Sequence, residues 1–326
     1  MIFQEAGFVF MHKVIFDTDP GIDDAMALLF LERHPDIALL GITSVFGNAS
    51  ADTTTRNAQF LKREFGISAP VARGADETYD PARPMAPWPV VVHGVNGLGD
   101  IEMPETVEDV PLDPRPAYQF IIDTVRENPG EVEIVAVGRM TNLALALARD
   151  PEIAGLVKQV VVMGGAFERN GNVTPAAEAN IHGDPEAADA VFTAPWKVVI
   201  IGLDVTIQTV MTRTVMKELA LRGGPAVELL AKISDPYIDF YSQQVDDGMV
   251  VHDSCACVYV VAPELFGLRA GTVRVVCGGI ADGLTLQKPA GPFFPPSAWD
   301  GKPEQQVAMT IEAKKVVDLV AATLAP

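Results

Sequence analysis

Short apolar runs rich in Val and Ile alternate along the chain with longer, helix-like stretches. The short runs are typical of buried strands, and the longer stretches are typical of helices that cover a sheet. Strands are predicted at 13–16, 37–46, 132–137, 159–165, 197–202 and 271–277, and helices at 25–31, 53–65, 117–127, 212–244 and 312–324. This alternation predicts an α/β fold with a mainly parallel, doubly wound sheet and extra helices late in the chain.

The predicted order of elements is that of a Rossmann-like domain, and nothing divides it. The chain has 326 residues, 48% of them hydrophobic, and shows neither an internal repeat nor a low-complexity linker. We therefore expect a single domain over residues 13–326. We expect residues 1–12 to form an N-terminal extension of little structural weight, with either Met1 or Met11 as the native start.

The charge balance excludes several kinds of partner. The chain carries 24 basic and 43 acidic residues, a formal net charge of -19, which repels nucleic-acid backbones. No apolar run reaches the length of a membrane span, and the first residues are too short and too poor in basic side chains for a secretory signal. Three cysteines, Cys255, Cys257 and Cys277, are expected to be reduced thiols. We therefore predict a cytoplasmic protein that acts on a small molecule, with neither nucleic acid nor membrane as partner.

Four carboxylates lie within eight residues where the first predicted strand gives way to the first helix. They are Asp17, Asp19, Asp23 and Asp24. If they converge, each like-charged pair at ~4 Å costs roughly 4 kcal/mol at an effective dielectric constant near 20. No Lys or Arg lies inside the stretch, whereas a bound Ca²⁺ or Mg²⁺ would offset the repulsion because hard cations prefer oxygen ligands. The alternative is a solvated acidic turn that caps a helix.

Further polar side chains lie near the ends of later predicted elements. Asn48 follows the second strand, at the edge where open α/β sheets bind ligands, although a turn asparagine is the alternative. His93 lies in a long segment rich in Pro, Gly and Asp, 74–113, of a kind that is usually functional or mobile. His252 and Asp253 open an apolar helix, where an N-cap role would also explain the aspartate.

The stretch from Asp17 to Ala25 resembles the N-terminal signature of the calcium-dependent ribonucleoside hydrolases, the inosine-uridine preferring nucleoside hydrolase family. The His-Gly-x-x-Gly stretch at 93–97, the segment 172–180 and the His-Asp pair at 252–253 are similar to further parts of that family's pattern. Arg139 and Met140 depart from it, since the family carries Gly-Pro-Leu-Thr-Asn where this chain has Gly-Arg-Met-Thr-Asn.

The resemblance implies hydrolysis of the N-glycosidic bond of ribonucleosides to ribose and free base, with Ca²⁺ as the cofactor. The calcium ligands that it implies are Asp19, Asp24, Asp253 and the main-chain carbonyl of Val137. Asp19 would take the proton of a Ca²⁺-bound water, Asn48 would lie close to that water, and His252 would protonate the leaving base.

The resemblance also implies the residues that hold the substrate, a small-molecule ribonucleoside. They are Asp23, His93, Met163, Asn172, Glu178 and Asn180. Carboxylates and amides together satisfy ribose hydroxyls, which both donate and accept hydrogen bonds. Since family members are commonly dimers or tetramers, a homodimer or homotetramer is implied for this chain, while the preferred base is left open.

Two other functions remain open at the level of the sequence. Phe16-Asp17-Thr18-Asp19 imitates the strand-end Asp-x-Asp of haloacid dehalogenase-type phosphatases, in which Asp17 would be the nucleophile. That chemistry also needs a later lysine and acidic pair, for which the sequence offers no convincing candidates. A non-catalytic protein that binds a nucleoside or ribose is the second alternative. Tyr237, Phe240 and Tyr241 share one helical face, which suits either core packing or an aromatic wall over the base.

Overall fold

The computed structural model of the chain describes residues 11–104, 106–242 and 244–326. Of the predicted N-terminal extension, residues 1–10 lie outside this range, and the first strand begins at His12. The strands are β1 (His12–Thr18), β2 (Ile37–Ser44), β3 (Val71–Ala72), β4 (Leu112–Asp113), β5 (Val132–Ala136), β6 (Gln159–Met163), β7 (Val198–Ile201), β8 (Val210–Thr212), β9 (Gly248–Val250), β10 (Phe266–Val275), β11 (Thr285–Pro289) and β12 (Gln305–Ile311).

Helices follow most of the strands, as the alternating pattern predicts. They are α1 (Ile22–Arg33), α2 (Ala51–Phe65), α3 (Val90–His93), α4 (Ala117–Glu127), α5 (Thr141–Arg149), α6 (Ala179–Gly183), α7 (Pro185–Thr193), α8 (Leu203–Thr206), α9 (Arg213–Arg222), α10 (Pro225–Tyr241), α11 (His252–Val261) and α12 (Ala313–Leu324). No helix in the described part of the chain is both long and apolar enough to cross a membrane.

Ten strands form one twisted sheet in the order β11-β10-β12-β7-β6-β5-β1-β2-β3-β4. Within this sheet, as far as the structure describes it, the neighbouring strands from β12 to β4 in that order pair in parallel, and β10 pairs antiparallel with β11 and β12. The chain starts at β1, runs outward through β2 to β4, and returns to build the other half from β5. This reversal makes the carboxyl ends of β1 and β5 a topological switch point, where doubly wound sheets bind ligands. The predicted fold class is confirmed.

The residues of β1 alternate between two apolar layers, one on each face of the sheet. Val14 and Phe16 join the layer that contains α1, α10 and α11, and Ile15 joins the layer that contains α4, α5 and α7. Helix α1 is buried along nearly its whole length and packs against α11. Both helices begin at the carboxyl edge of the sheet, so their first turns lie side by side there.

The structure differs from the expected elements in the last third of the chain. The helix expected over 212–244 is two helices, α9 and α10, separated at Gly223 and Gly224. Gly224 adopts φ 74°, and Pro225 then begins α10 in the position where proline is tolerated best. Strand β10 is longer than expected, and β11 and β12 complete an antiparallel edge that the sequence reading did not include.

Gln305 provides a test of how β12 is attached to the parallel half of the sheet. Its amide donates to the carbonyls of Phe192 and Trp196 and accepts from the Val198 amide at 2.8 Å, all in the buried interior. We expect Gln305→Met to lower the free energy of unfolding by about 1–3 kcal/mol, because it leaves buried backbone groups unpaired. Urea denaturation measures this.

The matched control is Gln306→Met, one residue along the same strand. No side-chain hydrogen bond of Gln306 appears among the described residues, so its unfolding free energy is expected to change by less than about 0.5 kcal/mol. Equal losses in the two variants would show that the hydrogen bonds of Gln305 do not hold this edge.

Candidate active site

The turn between β1 and α1 fixes Asp24 through donors from three directions. The Asp24 carboxylate accepts from the Gly21 amide at 2.9 Å and from the Thr18 hydroxyl, which closes the first turn of the helix. Asn48, at the end of β2, donates its side-chain amide to the same carboxylate at 3.0 Å. Glycine is required at position 21, since a Cβ there would lie 2.6 Å from both Asn48 and His93.

Three buried carboxylates converge where α1 and α11 begin. Asp23, Asp24 and Asp253 each offer one oxygen, and these atoms all lie within 4.8 Å of one another. Burial raises the pKa of the Asp253 carboxyl well above its usual range, and the charges of Asp23 and Asp24 raise it further. Three buried carboxylate oxygens so close together fit a hard divalent cation, which would compensate the repulsion. The set unites two predicted metal ligands with Asp23, which was expected to contact ribose.

Asp19 lies beside this cluster, outside the group of three. Its Oδ2 accepts the main-chain amide of Asn48 at 2.7 Å, and the Asn48 side chain donates to the Asp19 carbonyl at 3.1 Å. Two glycines let the backbone approach, since a Cβ on Gly47 would lie 1.9 Å from Oδ2 and one on Gly138 would lie 2.6 Å from Oδ1. Burial and the charge of Asp24 raise the pKa of the Asp19 carboxyl.

Asp17 is wholly buried and does not line the cavity at the switch point of the sheet. Its Oδ1 accepts from the Thr43 hydroxyl and from the Asn142 amide at 2.8 Å, and its Oδ2 has no partner among the described residues. Burial raises its pKa to about 7. A phosphatase nucleophile must reach its substrate, so this position argues against the dehalogenase-type reading of the Asp-x-Asp motif.

A cavity of about 180 Å³ opens at the switch point of the sheet. Ten of the twelve predicted site residues line it: Asp23, Asn48, His93, Val137, Met163, Asn172, Glu178, Asn180, His252 and Asp253. The other two, Asp19 and Asp24, lie behind the lining, bonded to Asn48. Residues from seven separate stretches of the sequence are thus brought to one pocket.

The segment before α6 and the first residues of that helix connect the ends of two central strands. Asn180 donates to the carbonyl of Val137 at 2.7 Å and to that of Met163 at 3.1 Å, which leaves its own amide oxygen free to accept. Glu178 caps α6 by accepting from the amides of Asn180 and Ile181 and also binds the amide of Gly165 at 3.0 Å. Asn172 accepts from the amide of Ala179. These hydrogen bonds fix the orientation of the Asn172, Glu178 and Asn180 side chains on one wall of the cavity.

His252 is buried between two hydroxyl groups that the sequence reading did not assign to the site. Thr206 Oγ1 lies 2.8 Å from its Nδ1, and Tyr241 Oη lies 2.9 Å from its Nε2. Burial lowers the pKa of His252 to about 4, so the imidazole is neutral at pH 7. Tyr241 belongs to the aromatic face predicted from the sequence, whereas Thr206 was not singled out, and nothing in the local pattern indicates that the two meet one histidine.

The aromatic face of α10 forms the wall of the cavity next to His93. Tyr237 packs against His93 with ring centroids 5.5 Å apart and against Tyr241 at 4.8 Å, and both tyrosines are buried. Phe240 lies beside them and also lines the cavity. The two readings of this face therefore combine, since the same side chains pack together and face the pocket.

Comparison with known proteins agrees with this geometry. A family model described as inosine-uridine preferring nucleoside hydrolase matches residues 14–318. Uridine nucleosidase 1 of Arabidopsis thaliana is 40% identical over 315 residues, which cover 96% of this chain and 93% of that protein. The inosine-uridine preferring nucleoside hydrolase of Leishmania major is 36% identical over 277 residues, 84% of this chain and 87% of its own length. A solved plant nucleoside hydrolase superposes with a TM-score of 0.91 at 37% identity, covering 96% of this chain and 99% of that one.

Together with these matches, the sheet, the switch-point cavity and the carboxylate cluster define a nucleoside hydrolase, an N-glycosyl hydrolase that acts on ribonucleosides. The chain belongs to the inosine-uridine preferring nucleoside hydrolase family. The predicted family, enzyme class and reaction are thereby confirmed. The members of this family are metal-dependent, and the cluster at the start of α1 and α11 is the part of this chain suited to a metal ion.

Removing one carboxylate from the cluster tests whether it holds a cation. In the wild-type protein, a divalent cation at a hundredfold excess over its Kd should raise the free energy of unfolding by about 2.7 kcal/mol. For Asp253→Asn we expect the cation to raise the free energy of unfolding much less, because one of the three carboxylates is missing. In chelator this variant should be at least as stable as the wild type, because one buried like charge is gone.

Thermal unfolding with chelator and with added Ca²⁺ or Mg²⁺ makes the measurement. The control is Asp318→Asn, which removes an exposed carboxylate paired with Lys314 on α12 and should respond to cation like the wild type. A full cation response in Asp253→Asn would exclude the cluster as the metal site.

Proposed function

We propose that this enzyme, which hydrolyses the N-glycosidic bond of ribonucleosides, acts on uridine among them and uses Ca²⁺ as its cofactor. The observation that carries the proposal is the convergence of the buried carboxylates with a ring of amide and carboxylate side chains around one cavity. Uridine is proposed because relatives near 40% identity carry the name uridine nucleosidase. We further propose that residues 13–326 form the catalytic domain.

The proposed calcium ligands are Asp19, Asp24, Asp253 and the carbonyl of Val137. The carboxylate cluster supports Asp24 and Asp253 as ligands, because it contains both. Asp19 is supported by its proximity, since its charge acts on the Asp253 carboxyl. The carbonyl of Val137 accepts one hydrogen bond from Asn180 and retains a second lone pair. When bound, a hard cation lowers the pKa of a coordinated water and orients vicinal hydroxyl groups.

In this proposal Asp19 is the general base that accepts the proton of the attacking water. Asn48 supports that role because its main-chain amide fixes the Asp19 carboxylate and its side-chain amide holds the Asp24 carboxylate. The negative field of the buried aspartates stabilises the positive charge that develops on the ribosyl carbon.

Asp23 and Asn180 are proposed to hold the ribose hydroxyls near the cation, with Met163, Asn172 and Glu178 toward the 5′ end of the sugar. The free amide oxygen of Asn180 and the carboxylate of Asp23 accept hydrogen bonds from hydroxyl groups. A ligand without these hydroxyls would leave buried acceptors unpaired, which penalises its binding.

The nucleobase is proposed to lie between His93 and the aromatic wall of α10, with His252 as its proton donor. The neutral imidazole can donate its one N–H as a hydrogen bond toward the base, either directly or through Tyr241, whose Oη lies 2.9 Å from Nε2. When His252 gives this proton to the departing base, its ring must take one from solvent in the same step, so that it ends neutral. Departure of a base as an anion is slow, so protonation or hydrogen bonding of the base lowers the barrier.

Two further properties are proposed from the family resemblance and from the cysteines. A homodimer or homotetramer is proposed because members of the family are commonly oligomeric. A cytoplasmic location is supported by the free state of Cys255, Cys257 and Cys277, since reducing compartments keep thiols unpaired.

Asp19→Asn tests the proposed base with little change in shape. We expect release of ribose from uridine and inosine to fall by about 10³-fold, in the range of a lost general base, while the far-ultraviolet spectrum is unchanged. A reducing-sugar assay with and without chelator gives the measurement. Retention of wild-type turnover, or turnover indifferent to chelator, would contradict the proposal.

His252→Ala and Tyr241→Phe test the proposed path to the leaving base. Both variants should lose at least about tenfold in kcat on inosine or uridine and much less on a nitrophenyl riboside, whose leaving group needs no proton. Parallel assays on the two kinds of substrate make the comparison. Equal losses on both would assign these residues to substrate positioning and not to proton donation.

A further inference from the structure

Arg139 is a buried cation next to the proposed base. Only 6% of its surface is exposed, and its guanidinium carbon lies 4.5 Å from the ring centre of Phe46 and 5.8 Å from that of Trp88. Gly183 makes room for it, since a Cβ there would lie 2.2 Å from Nε of Arg139. The side chain is therefore held between aromatic faces and backbone in one orientation.

The hydrogen-bonding capacity of this guanidinium is unused by the described residues. No described group accepts a hydrogen bond from Arg139, and its Nη1 is fully buried without a partner. Asp19 and Asp184 act on it through their charges alone. A buried cation without hydrogen bonds is unfavourable, and an apolar side chain of similar volume is often at least as stable in such a position. A role other than stability is therefore indicated.

A second chamber of about 80 Å³ touches both Arg139 and Asp19. Asn48, Asn180, His182 and Gly183 also line it, and the first two of these line the substrate cavity as well. The chamber has room for at least two water molecules, since each needs roughly 30 Å³, and its lining offers the several polar partners that a buried water requires.

We propose that water in this chamber connects the Arg139 guanidinium to the Asp19 carboxylate, and that Arg139 is a positioning residue for the attack on the nucleoside. The planar guanidinium orders the water by directional N–H donation, and the water donates to the Asp19 carboxylate and so fixes its orientation. This inference rests on the proposed role of Asp19 as base. It concerns a residue at which this chain departs from the family pattern.

The first test is Arg139→Met, which removes the donors and keeps an apolar side chain against Phe46 and Trp88. We expect kcat on uridine to fall by about tenfold or more, with KM changed less than about twofold, because orientation is lost and sugar binding is kept. The melting temperature should be unchanged or higher. Arg139→Lys keeps the charge without the planar fork and should recover only part of kcat.

The second test combines Arg139→Met with Asp19→Asn in a double-mutant cycle on the nitrophenyl riboside. If Arg139 acts through Asp19, the double variant should be no slower than Asp19→Asn alone, within about twofold. Multiplicative losses would refute this inference while leaving the proposed base intact. Wild-type turnover in Asp19→Asn would instead refute the proposed base, and the route by which Arg139 acts would fail with it.

The matched control is Arg115→Met. Arg115 also stacks on an aromatic ring, that of Phe120 at 4.9 Å, but it pairs with Asp113 and lies outside both cavities. Its kcat should equal that of the wild type. The inference is overturned if Arg139→Met retains wild-type kcat, or if its kcat and melting temperature fall together, which would mark Arg139 as a structural residue.

Discussion

The contact between α1 and α11 is the constraint on which the site depends. Both helices are apolar and buried almost throughout, so they pack as core elements and carry their first turns to the same edge of the sheet. The first turn of α1 contains Asp23 and Asp24, and that of α11 contains Asp253. Asp253 is distant from the other two in sequence, yet one carboxylate oxygen of each residue lies within 4.8 Å of the others. Apolar packing thus forces together carboxylates that repel one another, and the helix N-termini alone are too weak to compensate them. A site strained in this way is suited to a cation.

The remaining polar groups are held by the ends of strands, which move little. Asn48 at the end of β2 ties Asp19 to Asp24, and Asn180 ties the end of β5 to the end of β6. Asn142 likewise joins two strands, because its side-chain amide donates both to the Asp17 carboxylate of β1 and to the Ser44 carbonyl of β2. Asn180 and Asn142 each bind groups at the ends of two strands, and Asn48 binds two aspartates, one between β1 and α1 and one in the first turn of α1, so the orientation of the proposed catalytic side chains follows from the register of the sheet. Such preorganisation spares reorientation during the reaction.

Elements that depend on adjacent residues or on a repeated apolar pattern could be predicted from the sequence. Contacts between residues that are distant in the sequence could not. The strand, acidic turn and helix around Asp19 follow from a few adjacent residues, and the parallel core follows from the alternation of apolar runs. The antiparallel edge of β10, β11 and β12 depends on pairing between strands whose own patterns are weak, and it was not foreseen. Thr206 and Tyr241 contact His252 because α8, α10 and α11 pack together. The spacing of these residues along the chain does not predict either hydrogen bond. The same is true of Arg139 and Gly183, whose close contact arises where the connection between β5 and α5 packs against the end of α6.

The two ends of the cavity are built in different ways, and this difference bears on substrate choice. The end proposed to hold the sugar consists of strand termini and the first turns of core helices, whose positions are tied to the fold. The end proposed to hold the base consists of α10, the short helix α3 and the long connection that carries it, none of which belongs to the sheet. Substitutions on those elements can change the shape offered to a base without moving Asp23 or Asn180. A family with this architecture can therefore retain ribose recognition while its members diverge in the base that they release, so the residues to compare for base preference are those facing the cavity from α3 and α10.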